Sequence, residues 1–188
     1  MSNHFTELEY KYRADDVKLS DFQKLMEELP TYIETKEVSS FDIYYTATAE
    51  KFIRYRMSKL TPELTIKRKN NTTNNWDRIE VDLPLSPDAT ETTVEKFVGL
   101  LGYKKNFKIY KSCFIYFFDN FNTVYYTVYN EEMKEVGRFL EIEINKDKVE
   151  ELGDNTTEVL KKVEDTLSIF NITSKNRLKK SLFEMYVK

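Results

Sequence analysis

Residues 7–13 read ELEYKYR. With the two-residue period of a β-strand, Glu7, Glu9, Lys11 and Arg13 fall on one face and Leu8, Tyr10 and Tyr12 on the other. A surface strand with its apolar side on a core and its charges in water has the same pattern. Three later segments repeat it. FIRYR places Arg54 and Arg56 on one face, and WDRIEV places Arg78 and Glu80 opposite Ile79 and Val81. FLEIEI places Glu141 and Glu143 opposite Leu140, Ile142 and Ile144. Either all four charged faces meet solvent, or the sheet curls so that they meet inside a polar tunnel.

At 188 residues the chain is expected to form one domain spanning residues 1–188. Charged residues make up 32% and apolar ones 40%, with 13 Tyr and 13 Phe, a composition suited to a sheet-rich folded protein. A net charge of −3 and a pI of about 5.5 argue against nonspecific nucleic-acid binding. The single Cys113 excludes an internal disulfide framework and a cysteine-based zinc site. With no apolar N-terminal run, it leads to an expected cytoplasmic location with no membrane association.

Phe22, Leu25, Met26 and Leu29 recur at helical spacing behind Ser20, a candidate N-cap. Two strand pairs follow, SFDIYYTA with KFIRYRMS, and ELTIKRK with WDRIEVDLPL across NNTTNN. Val94, Phe97, Val98 and Leu101 define a second apolar helix face that ends at Gly102. Residues 107–118 and 123–129 read as another hairpin. In it Lys111 shares its parity with Ile109, Cys113 and Ile115, which implies either a bulge or a partly apolar wall. GRFLEIEIN is the last strand. A third helix runs through Val159, Leu160, Val163, Leu167 and Phe170, and a fourth, capped by Ser174, runs through Leu178 and Leu182 to Met185. The fold class is therefore α+β. The expected architecture is a closed or nearly closed antiparallel eight-stranded β-barrel with helices packed outside, because about eight strands suffice to close a sheet. If helices cover Leu8, Tyr10, Tyr55, Ile79, Val81, Leu140 and Ile142 from outside, the charged faces must point inward.

Inward Glu7, Glu9, Glu141 and Glu143, supported by Glu80, require compensating cations, since crowded carboxylates raise one another's pKa. Carboxylate oxygens suit Mg²⁺ or Mn²⁺. Lys11, Arg54, Arg56, Lys67, Arg78 and Lys111 would face them, and metal opposite Arg and Lys matches a polyphosphate. The four glycines form no P-loop, so side chains must hold the phosphates.

These residues carry a resemblance. ELEYK is an ExExK motif, followed by FDIYY with Asp42 and Tyr44, the RxR pair Arg54 and Arg56, Lys67 in LTIK, and the RxE pair Arg78 and Glu80. A helix ending in LLGY, Lys111 with Tyr116 in a strand, GRFLEIE and a closing KKSLFEM complete the order. The chain resembles the CYTH family, the triphosphate tunnel metalloenzymes, over nearly its whole length. The resemblance implies an eight-stranded tunnel, Mg²⁺ or Mn²⁺ dependence and a small-molecule triphosphate substrate: inorganic triphosphate, thiamine triphosphate or a nucleotide. It also implies Glu7, Glu9, Glu141 and Glu143 as metal ligands and catalytic residues. The triphosphate contacts it implies are Lys11, Arg54, Arg56, Lys67, Arg78 and Lys111. Lys67 is preferred to Lys69 on the family match alone, and Arg13 is placed at the tunnel mouth. The chain departs from the family at Cys113, where Arg is frequent, at Asn130, where Asp is frequent, and at Leu182, where Tyr is frequent.

The expected activity is a metal-dependent triphosphatase. The alternatives are a class IV-like adenylate cyclase making cyclic AMP and pyrophosphate, and a nonenzymatic nucleotide or polyphosphate-binding module. Action on RNA 5′-triphosphate ends is disfavoured by the acidic pI.

Overall fold

The hydrogen-bonded order of the strands runs β1-β6-β5-β4-β3-β7-β8-β9-β2, all antiparallel where paired. In chain order these are β1 (Phe5–Glu7), β2 (Glu9–Arg13), β3 (Tyr32–Thr48), β4 (Lys51–Ser58), β5 (Glu63–Lys69), β6 (Arg78–Pro84), β7 (Lys104–Phe118), β8 (Phe121–Tyr129) and β9 (Glu135–Ile144). The computed structural model describes residues 5–7, 9–48, 51–58, 62–69 and 78–187, with backbone alone at 5–7, 67–69, 78–80 and 146. Leu8, the NNTTNN loop and residues 1–4 lie outside that set.

The expected closed barrel is corrected by this order. Among the described residues the sheet has nine strands and two ends, β1 and β2, which are consecutive in sequence with only Leu8 between them. Counted as one N-terminal strand, the two pieces give the expected eight, but the hydrogen-bonded ring does not close. The N-terminal segment pairs with β6 over Phe5–Glu7 and with β9 over Glu9–Arg13, so no described residue of it bonds both neighbours. Tyr12 forms an antiparallel bridge to Arg177, and Leu178 N–H donates to the Lys11 carbonyl at 2.7 Å. The segment around Arg177 thus covers the outer edge of β2 at Lys11 and Tyr12.

That segment is clamped from below. Arg177 Nε donates to Glu164 Oε1 at 2.6 Å, Tyr12 donates its hydroxyl to the same carboxylate, and the guanidinium lies 3.5 Å over the Tyr10 ring. Burial alone would raise the Glu164 carboxyl, but hydrogen bonds from Arg177 and Tyr12 hold it below its ordinary range.

Five helices are described: α1 (Leu19–Glu28), α2 (Glu91–Leu100), α3 (Val149–Leu152), α4 (Thr156–Leu167) and α5 (Leu182–Tyr186). Phe22 and Met26 of α1 and Leu160, Val163 and Leu167 of α4 pack with Tyr10, Tyr12, Leu140 and Ile142. α2 covers Ile43, Tyr45, Ile53, Tyr55 and Leu64 with Val94 and Val98. The outer faces of β2, β9 and β4 are therefore covered as the alternation predicts.

Several local expectations change. Lys18, not Ser20, occupies the N-cap of α1, with no side-chain cap, because the helix starts at Leu19. In α2, capped by Thr90, Phe97 and Leu101 are more than half exposed, since only Val94 and Val98 face the sheet. Val81 is also exposed, beside Ile66 and Leu83, because α2 covers β5 at Leu64 and reaches no farther along β5 and β6 among the described residues. The fourth helix predicted from Ser174 is only a 3₁₀ turn over Ser174–Asn176. α5 begins later, where Ser181 and Glu184 form a reciprocal capping box.

Candidate active site

The inner face of the sheet encloses a cavity of about 500 Å³, lined from β2 to β9 and by α5. This volume lies within the range of small-molecule sites. On one side, β3 and β4 pair with Asp42 directly opposite Arg56 and Tyr44 opposite Arg54. Asp42 is fully buried beneath the cavity. Its Oδ1 accepts from Arg56 Nε at 2.8 Å, its Oδ2 accepts from Arg56 Nη2 at 3.1 Å, and Lys111 Nζ lies 2.7 Å from Oδ2. This is a bidentate fork with a lysine added. Burial pushes the Asp42 carboxyl up, yet Arg56 and Lys111 together carry it far below the ordinary range. Lys111 moves down, first through burial and then through the charge of Arg56.

Arg54 completes this side. Its Nη2 donates to Thr65 Oγ1 at 2.8 Å and lies 3.3 Å from Glu63 Oε1, while Thr65 donates its hydroxyl to Asp82 at 2.7 Å.

On the other side β2 and β9 pair Lys11 with Glu141 and Glu9 with Glu143. Lys11 Nζ lies 2.8 Å from Glu141 Oε1 and 3.3 Å from Glu9 Oε1, and Tyr126 donates to Glu141 Oε1 at 2.7 Å. Burial would raise the Glu141 carboxyl, but Lys11 and the Tyr126 hydrogen bond hold it below its ordinary range. The Tyr126 hydroxyl moves far up through burial and the adjacent Glu141, so it remains a donor. Crowding of carboxylates is thus relieved by an ammonium and a phenol.

Glu9, Lys11, Arg54, Arg56, Lys111, Glu141 and Glu143 therefore come together around one cavity. Glu7 stands opposite Arg78, and Lys67 opposite Glu80, in the backbone register; these four side chains, like that of Lys69, lie outside the described residues. Asn130 is not among the cavity-lining residues. It closes the β8–β9 turn, its Oδ1 accepting from Glu132 N–H and Lys134 N–H at 3.1 and 2.9 Å. Arg13 is also outside the lining, paired with Asp15 at 3.2 Å and lying over the Phe139 ring. Sequence reasoning noted Asp42 without a role and missed Glu63, Thr65, Asp82 and Tyr126. The available signal for Asp42 was one acid in an aromatic run, on the parity that faces the two arginines.

One end of the cavity is filled with apolar side chains. Phe183 of α5 stacks on Phe52 with ring centroids 4.1 Å apart, beside Tyr44, Phe107 and Leu182. Phe183→Ala is expected to lower stability by about 3–5 kcal/mol, the usual cost of emptying a buried aromatic site. Urea denaturation checks it, and a change below about 1 kcal/mol would show that α5 does not hold this end. Cys113, Ile115 and Phe117 line the cavity from β7 without a register shift against β8. The mixed parity around Lys111 is therefore an apolar wall and not a bulge. Burial pushes the Cys113 thiol up, away from the reactive thiolate.

Glu9, Glu141 and Glu143 offer the hard oxygen donors that suit Mg²⁺ or Mn²⁺. Among the described residues, however, no three Asp, Glu, His or Cys side chains gather closely enough to form a metal-holding cluster, and the Lys11 ammonium contacts Glu9 and Glu141. Among the described residues, the five lining carboxylates with Asp42 outnumber the four lining cations by two in formal charge. A polyanion entering this cavity would need added positive charge, which suits a carboxylate-bound divalent cation.

No family model matches the chain, and no curated protein matches it in sequence. Solved structures do match. The PH1012 protein of Pyrococcus horikoshii OT3 superposes with a TM-score of 0.70 at 21% identity, covering 97% of this chain and 99% of its own. A candidate adenylate cyclase of Vibrio parahaemolyticus gives 0.70 at 14% identity, covering 97% and 98%. One of Bacillus halodurans gives 0.61 at 12% identity, with full coverage of both chains. The likeness is one of fold. Among the described residues, no helix is long and apolar enough to cross a membrane.

Proposed function

We propose that the protein is a Mg²⁺- or Mn²⁺-dependent enzyme that binds a triphosphate in this cavity and hydrolyses it. The observation that carries the reading is the gathering of Arg54, Arg56 and Lys111 with Glu9, Glu141 and Glu143 around one cavity. Arg56 and Lys111, oriented by Asp42, would take phosphate oxygens, and Arg54, held by Thr65 and Glu63, would take others. Carboxylates drawn from Glu9, Glu141 and Glu143 would hold the cation once the Lys11 ammonium gave way at Glu9 and Glu141, and the cation would supply charge neutralisation and polarise phosphate oxygens. A carboxylate of that wall would orient the water that attacks the terminal phosphorus, accept its proton, and leave the shortened phosphate chain as the departing group.

The second reading, adenylate cyclisation, is favoured by the fold likeness to the Vibrio and Bacillus candidate cyclases. Incubation with inorganic triphosphate and ATP, each with Mg²⁺ or Mn²⁺, separates the readings. Orthophosphate release is expected. Cyclic AMP with pyrophosphate would replace hydrolysis by cyclisation, and tight calorimetric binding without product would make the protein a binding module.

A further inference from the structure

We propose that the protein forms a two-fold dimer in which α2 of each copy lies on the uncovered outer face of β5 and β6 of the other. That face turns away from the cavity, since Val81 and Leu83 alternate with Asp82, which lines it. The register sets Leu64 beside Leu83 and Ile66 beside Val81. α2 covers Leu64 with Val94 and Val98, and there its cover stops: Ile66, Val81 and Leu83 are about half exposed. The helix has an uncovered flank on the same side. Its Glu91 reaches Lys105 and Lys108 of β7, which marks the flank turned toward β7. With about 100° between successive residues, Phe97 and Leu101 fall on the opposite side of the line through Val94 and Val98. They therefore overlook β5 and β6.

Phe97 and Leu101 are more than half exposed, and Leu100, which points farther from the sheet, is 90% exposed. Six of the ten exposed large apolar side chains among the described residues thus lie on two adjoining surfaces. At about 150 Å² for a whole large apolar side chain, they offer on the order of 500 Å². That is near the upper end for the largest patch of a monomer and more than half of the roughly 800 Å² each partner gives to a standard interface. Each surface lacks what the other supplies. β5 and β6 want a helix over them, and the far flank of α2 wants apolar cover. A helix standing on part of a sheet makes a step about 10 Å high, and two such steps interlock about a two-fold axis. Leu100 of one copy then meets Val81 and Leu83 of the other, and the Phe97–Leu101 flanks of the two helices pack side by side. Glu91 and Glu95 lie on the β7 side, so no acid of α2 is carried into the contact. A flank without charge favours a surface of its own kind.

Sedimentation equilibrium of the whole chain tests the pairing. At about 100 μM, enough to populate even a weak contact of this size, the mass should be twice 22.5 kDa and fall toward one chain on dilution. Leu100→Glu and Val81→Lys should each weaken association about tenfold or more, because each sets an unpaired charge against apolar side chains. Both positions face solvent within one chain, so the urea midpoints of the two variants, measured as monomers, should match that of the unaltered monomer. Mixed in equal amounts, the two variants should recover the dimer. One helix-on-strand contact then pairs the new carboxylate with the new ammonium, and the other is unaltered. A single-chain mass at every concentration would overturn the proposal. So would a dimer that survives both substitutions, or a mixture of the two folded variants that stays monomeric.

Discussion

In Asp42→Asn, stability at neutral pH is expected to fall by about 3–5 kcal/mol, the cost of leaving buried charges without their counter-ion. The substitution preserves shape, so what it removes is charge. Arg56 loses the anion it holds through two nitrogens, and Lys111 loses a partner at 2.7 Å. For a chain of this size the thermal midpoint should drop on the order of 10 °C. The same variant should respond more strongly to added triphosphate, because the uncompensated cations then find an anion in the ligand. Acid denaturation gives an independent reading. Asp42 is held far below its ordinary range, so the stability it contributes is full above the unfolded aspartate value of about 3.9 and declines as pH falls below it. Asp42→Asn should flatten that acid limb. An unchanged midpoint and an unchanged acid limb would show that Asp42 does not anchor the two cations.

Glu141→Gln should leave the fold in place and remove turnover. Gln keeps an oxygen for the Tyr126 hydroxyl, and Lys11 still has Glu9 at 3.3 Å, so a stability loss of about 1–3 kcal/mol is expected. The activity loss should reach about 100-fold or more, since changes to residues that merely support a metal ligand already cost 10–100-fold. The comparison that matters is steady-state turnover with Mg²⁺ or Mn²⁺ beside the denaturation midpoint of the same preparation. Undiminished turnover would remove Glu141 from the site. Chelation of divalent metal from the unaltered protein should abolish triphosphate binding, measured by calorimetry, because the described lining carries excess negative charge. Binding that survives chelation would show that the chain's own cations suffice.

The alternation in ELEYKYR and FLEIEI made the acidic wall legible, because a strand's period assigns every residue to one of two faces and the covering helices could be found independently. What periodicity did not reveal was pairing. Lys11 lies between Glu9 and Glu141 only because β2 and β9, more than a hundred residues apart, are neighbours in register. Asp42 was hidden for the same reason, since its role depends on β4 and β7 flanking β3. The helix that Leu178, Leu182 and Met185 suggested was overridden by the pull of Arg177 toward Glu164 and of Leu178 toward the β2 edge. Phe97 and Leu101 show the opposite failure. Helical spacing made them core residues, but the narrow contact of α2 with the sheet uses only Val94 and Val98.

The clamp from Tyr12 to Glu164 and Arg177 has a consequence for biosynthesis. A ribosome delivers β2 early, yet its pairing partner begins at Glu135 and its outer edge is occupied from Arg177. Until those segments emerge, Glu9 and Lys11 lack the β9 partner they pair with, and Tyr10 and Tyr12 have only α1 to pack against. Closing contacts of such long range is slow. The acidic wall is thus assembled only after more than a hundred residues beyond β2 have been made, and until then the aromatic face of β2 has α1 alone to pack against.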